Sequence, residues 1–176
     1  MNQFLHLLVV FICLFWASVH PAWADTPTEN QIKSAYVLNF IKFVDWPAGA
    51  SDGKVTLCVM GNDPLRGTLS ALDGRKAGAR VIHIQHVKYD DELKGCQVLF
   101  IGDSEQRWLT AIIRALNDAP VLTISDIENF AERGGMIGLS SQENRIVFEV
   151  NLASARFGKL LLSGQMLNLA THVYGR

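Results

Sequence analysis

Four short runs constrain this chain more than any other feature. "KVTLCVMG" (54–61), "ARVIHIQHV" (79–87), "QVLFIG" (97–102) and "VLTIS" (121–125) are apolar, rich in β-branched residues and of strand length. The stretches between them carry helix signals. Strands that alternate with helices join through right-handed crossovers, which makes neighbouring strands parallel. "QVLFIG" has no polar face, as befits a central strand covered on both sides.

The connecting stretches supply the covering layers. "NDPLRGTLSAL" places Asp63 as N-cap and Pro64 at the first helical position. "DSEQRWLTAIIRALND" (103–118) offers Asp103 or Ser104 as N-cap, with Leu109, Ile112, Ile113 and Leu116 at helical spacing. "DDEL" (90–93) is no more than a turn, and "DIENFAERGG" reads as a short capped helix. In the last third, "MIGLSSQENRIVFEV" (136–150) reads as two strands around the polar "SSQEN", hence an antiparallel hairpin. A helix over "NLASARF" stops at Gly158, "KLLL" is extended, and Ser163 caps a final helix with Met166, Leu169, Ala170 and Val173 on one side. The expected fold is a three-layer α/β single domain: a mostly parallel sheet with an antiparallel edge hairpin, and helices on both faces.

The first 24 residues contain no Lys, Arg, Asp or Glu and end in Ala22-Trp23-Ala24 before the polar "DTPTEN", the pattern of a cleaved secretory signal peptide. Its removal from the 176 residues leaves 152, from about Asp25, the size of one ordinary domain. Sixteen basic against seventeen acidic residues give a formal net charge of −1, which argues against nucleic acid as a partner. No second apolar run is long enough to span a bilayer. The expected location is the periplasm.

Along the helix that contains "SAYVLNFIKFVDWP" (34–47) and is ended by Trp46-Pro47, the side chains of Ile32, Tyr36, Val37, Phe40, Ile41, Phe43 and Val44 sweep about half of the wheel. Gln31, Ser34, Lys42 and Asp45 hold the opposite arc. A helix packed on a sheet needs a narrower stripe. Either the C-terminal helix covers the excess, or Phe40, Phe43 and Trp46 form an exposed partner-binding patch.

Cys58 and Cys96 remain after processing. In an oxidising compartment they suggest a disulfide, worth roughly 4 kcal/mol on the chain-entropy view; two buried free thiols are the alternative. If the cysteines lay on neighbouring parallel strands, their positions would demand a staggered register. Two thiols do not complete a zinc site.

Catalytic signals are weak. "MGNDPLRG" is neither G-x-G-x-x-G nor a P-loop. His83 and His86 lie three apart on a strand and so point to opposite faces, which speaks against shared metal ligation. His172 suits a helix C-terminus, and Asp90, Asp91 and Glu92 a solvated turn. No hydrolase motif occurs, so we expect no catalytic residue, no metal and no cofactor. A small-molecule receptor would use a cleft at the carboxyl ends of the strands, near "GNDP", "GDSE" and "SDIE".

"YVLNFIKFVDWP", "LCVMGNDPL", "CQVLFIG", "PVLTISD", "GGMIGL", "RIVFEVNLASAR" and "LLLSGQMLNLA" together resemble the YfiR family of periplasmic proteins, in the same order, from about residue 30 to 174. The resemblance implies a non-enzymatic repressor that holds an inner-membrane diguanylate cyclase inactive through its periplasmic part, lowering cyclic di-GMP and restraining biofilm formation. It also implies sequestration by an OmpA-like outer-membrane lipoprotein, and it admits a homodimer. By position, Cys58 and Cys96 match a family cysteine pair thought to respond to redox state. A second pair found in other members, around the segment that here reads "AERGGMIGL", is missing.

Overall fold

The structure, a computed structural model, describes residues 26–49, 53–62, 64–116 and 118–176. The expected signal peptide and the capping role of Asp63 lie outside these residues. The chain runs through α1 (Glu29–Lys42), β1 (Val44–Asp45), β2 (Lys54–Met60), a 3-10 segment (Pro64–Leu72), β3 (Lys76–Ala77), β4 (Arg80–Val87) and β5 (Val98–Ile101). It continues through a second 3-10 segment (Asp103–Trp108), α2 (Leu109–Ala115), β6 (Leu122–Ser125), β7 (Ile137–Gln142) and β8 (Arg145–Asn151). The last elements are α3 (Leu152–Phe157), β9 (Leu161–Leu162), α4 (Gly164–Leu167) and β10 (His172–Tyr174).

Eight strands form one sheet in the order β10-β8-β7-β6-β5-β2-β4-β3. From β4 to β7 every pairing is parallel, with Leu57 opposite Ile84 on one side of β2 and opposite Val98 on the other. The hairpin β7–β8 is antiparallel, as its short polar connection requires. Strands β1 and β9 form a separate two-stranded ladder, Val44 opposite Leu162 and Asp45 opposite Leu161.

Strand alternation divides the core between the two faces. Val55, Leu57, Val59, Val98, Phe100, Leu122 and Ile124 meet α1 and the first 3-10 segment. Cys58, Met60, Leu99 and Ile101 meet Leu109, Ile112 and Leu116 of α2 and its flank, with Ile127 and Phe130. The three-layer α/β arrangement with helices on both faces is present.

Several helices differ from expectation. Thr28 and Gln31 form a capping box that starts α1 five residues before Ser34, and the helix ends at Lys42, so Trp46 is not on it. After Pro64 the backbone turns left-handed at Leu65, Arg66 and Gly67 (φ 51°, 48° and 70°), which excludes a regular α-helix; Leu69 and Leu72, three apart, then suit 3-10 periodicity. Residues 103–108 bury nothing and form a 3-10 turn whose N-cap, Gly102, lacks a side-chain cap, so neither Asp103 nor Ser104 caps it. The α-helix begins only where burial does, at Leu109. "DIENFAERGG" is a series of turns, with Asn129 at φ 56° breaking helical continuity.

Ser163 caps the last helix as expected, its oxygen accepting from the amide of Met166 at 3.2 Å. That helix is only four residues long. Both the amide and the hydroxyl of Thr171 donate to the carbonyl of Phe148, at 2.9 and 3.0 Å, drawing "HVY" onto the free edge of β8. An open strand edge with unmet backbone groups outcompetes a helix over β-branched residues here. Leu169, expected in the apolar stripe, is 70% exposed.

Candidate functional site

The broad apolar arc of α1 is covered from two sides. Phe40 packs edge-on against Phe148 of β8 with ring centroids 4.9 Å apart, and Tyr36 packs beside both rings and donates its hydroxyl hydrogen to the carbonyl of Ile146. The first 3-10 segment closes the other flank, where Ser34 and Thr68 share a hydrogen bond. Phe40 is therefore 2% exposed and belongs to the core, which corrects its placement in a surface patch.

Phe43 and Trp46 are half-buried, on either side of the β1–β9 ladder in the chain. The amide of Ser163 donates to the carbonyl of Phe43 at 3.0 Å, tying the end of α1 to the tail. The Trp46 indole donates to the carbonyl of Gln97 at 3.2 Å, and the Arg80 guanidinium lies 5.1 Å from its ring centroid. Arg80 also reaches toward the carbonyls of Ile41 and Val44 and stands 3.9 Å from the Asp45 carboxylate. These contacts fix a corner whose outward residues are Asp45 and Leu161, the latter 69% exposed. Sequence reasoning missed Leu161, yet two adjacent leucines on a strand necessarily point one of them outward.

The structure joins Cys58 and Cys96 in a disulfide, with Cα atoms 5.8 Å apart and both residues buried. The staggered-register difficulty is resolved because Cys96 lies outside β5. It sits in a turn closed by its amide donating to the carbonyl of Leu93, over the face of β2 that carries Cys58.

A second anchor joins α1 to the strand ends. The Lys33 ammonium, nine-tenths buried, pairs with Glu29 at 2.9 Å and with Asp126 at 3.0 Å, just past β6. Burial lowers the pKa of Lys33, but the two carboxylate partners outweigh it and hold the pKa above the ordinary lysine value. Glu29 is held below the ordinary carboxylate range, chiefly by its hydrogen bond to Lys33 and then by Ser141.

At the carboxyl ends of β2 and β5, where the strand order reverses, the crevice is closed by the chain itself. A Cβ on Gly61 (φ 111°) would lie 2.7 Å from Ser104 Oγ and 3.3 Å from the Cα of Gly102. Ser104 Oγ accepts from the amide of Asn62 at 2.9 Å, the role it takes in place of helix capping. An open cleft of about 560 Å³ lies beside that crevice, past β2 and β4. His83 sits 3.4 Å from Asp73, whereas His86 lines that cleft. Among the described residues no group of three or more His, Cys, Asp or Glu is placed to hold a metal ion, and no helix is long and apolar enough to cross a membrane.

The profile of the YfiR/HmsC-like family matches residues 30–171, about four fifths of the chain. The chain belongs to that family. The fold is also similar to a crystal structure of a conserved domain protein from Vibrio cholerae O1 biovar El Tor strain N16961, with a TM-score of 0.60 and 11% identity. The likeness covers 83% of this chain and 60% of that one, so this YfiR/HmsC-like chain spans about three fifths of the length of the Vibrio protein.

Proposed function

We propose that this chain is exported to the periplasm and represses an inner-membrane diguanylate cyclase by binding its periplasmic part, lowering cyclic di-GMP and restraining biofilm formation. Family membership over residues 30–171 carries the reading. The corner formed by β1 and β9 supports it: the exposed Leu161, paired with Asp45, stands on a ladder flanked in the chain by the half-buried Phe43 and Trp46, on backbone pinned by Arg80. Aromatic side chains and arginine, here Trp46 and Arg80 beside the exposed leucine, are the residue types most often found as interface hot spots. Release by an OmpA-like outer-membrane lipoprotein would follow from competition for the same corner.

The test pairs binding with a cellular readout. Leu161→Asp and Leu161→Ala should fold normally and weaken capture of the cyclase's periplasmic part by roughly thirtyfold or more, the effect of losing a central anchor. Deletion of the gene should raise cyclic di-GMP, and the wild type but not Leu161→Asp should restore it. Unchanged affinity in both variants would remove the corner from the proposal. Unchanged cyclic di-GMP on deletion would remove repression itself.

A further inference from the structure

Tyr89 follows β4 and Trp108 closes the 3-10 segment after β5, so β2 lies between the strands that deliver them. Their rings nevertheless stack, with centroids 5.1 Å apart and planes 18° from parallel, and both remain more than 40% exposed. Arg107 lies 5.6 Å from the Trp108 ring centroid. A lone exposed aromatic ring needs no explanation. Two rings brought from separate crossovers to one exposed stack form a built platform, at the end of the sheet where open α/β folds bind ligands.

Tyr89 also walls the cleft of about 560 Å³, which lies within the size range of small-molecule sites. Its other walls carry Asn62, His86, Asp90 and Glu105. Among the described residues the side chains of Asn62, His86 and Asp90 donate or accept no intramolecular hydrogen bond, while Asp91 is engaged by the amide of Lys88 at 2.7 Å. The cleft is lined by the carboxylates of Asp90, Asp91 and Glu105 against the single ammonium of Lys88. That balance repels phosphates and other anions.

We propose that the cleft, walled by Tyr89 with Trp108 stacked on its ring, binds a neutral saccharide. A pyranose ring presents a C–H face that packs on an aromatic ring and a rim of hydroxyls that both donate and accept. The platform supplies the first complement. Carboxylates, an amide and an imidazole supply the second, accepting and donating together. The proposal goes beyond cyclase repression and does not depend on it.

Titration of the purified full chain with chitotriose and with cellotriose, followed by calorimetry and by the indole N–H resonance of Trp108, tests this. Saturable heat with at least one sugar and a shifted Trp108 resonance are expected. Trp108→Ala and Tyr89→Ala should each weaken binding roughly tenfold or more while melting with the wild type, as exposed residues should. Asp90→Asn should weaken it less, and guanosine monophosphate should not bind. Absence of saturation with both sugars at millimolar concentration would overturn the proposal. So would sugar binding that survives both aromatic substitutions, or a preference for the nucleotide.

Discussion

The Cys58–Cys96 bridge offers the sharpest quantitative test of how this domain is held together. It closes a separation of 38 residues and sits with both cysteines buried, at 0% and 3% exposure. On the chain-entropy relation, a loop of that length removes about 4 kcal/mol of freedom from the unfolded chain at 25 °C. For a domain of this size each kcal/mol corresponds to roughly 2–4 °C, so Cys58→Ala/Cys96→Ala should melt roughly 8–16 °C below wild type. Lost packing of two buried sulfurs adds to the fall. The assay is thermal and urea unfolding of the two proteins, with circular dichroism as the probe. The urea slope should be steeper in the variant, because its unfolded chain exposes more surface. Since the sulfurs are reached only when the structure opens, a thiol reductant should act slowly on the native protein and quickly in moderate urea. A double variant melting within 2 °C of wild type would refute the reasoning. So would rapid reduction of the native bridge without loss of fold.

Phe40→Asp should unfold the domain, because it places a carboxylate among Tyr36 and Phe148 with no partner; a loss of more than about 4 kcal/mol is expected, read by chemical denaturation. Lys33→Met should cost about 1–3 kcal/mol by the same measurement, since Asp126 loses a buried partner. The pair also sets a pH signature. Glu29 has a lowered folded pKa, so its stabilisation is present above 4.5 and drains away as pH falls through the folded value. Lys33 has a raised one, so its contribution is full below 10.5 and is lost only as pH climbs past the higher folded value. Melting scans of wild type and Glu29→Gln should therefore differ at pH 7 and converge in acid.

The sheet was legible in the sequence because its signal is local: four apolar runs of strand length, and a hairpin marked by a polar turn. Helix identities were less so. Gly67 is the one hint of a left-handed turn where Leu65 and Arg66 give none, and "ATHVYG" became an edge strand because β8 had an unpaired side, a fact that no window of residues contains. The apolar breadth of α1 was read correctly as excess, yet which of its residues are covered depends on Phe148, far away in the chain. Arg80, Leu161 and the Tyr89–Trp108 stack were missed for the same reason. Each acquires meaning only from a neighbour brought in by topology.

The clasp between the two ends of the fold has a consequence for biogenesis. A ribosome delivers α1 first, but its lid, Phe148, and its last tether, the ladder to Leu161–Leu162, come from the final third. Until then the flank of α1 that carries Tyr36 and Phe40 lacks its cover, even after the 3-10 segment has closed the other. A product truncated before Arg145 lacks both Phe148 and the ladder to β9, so that flank stays open to solvent.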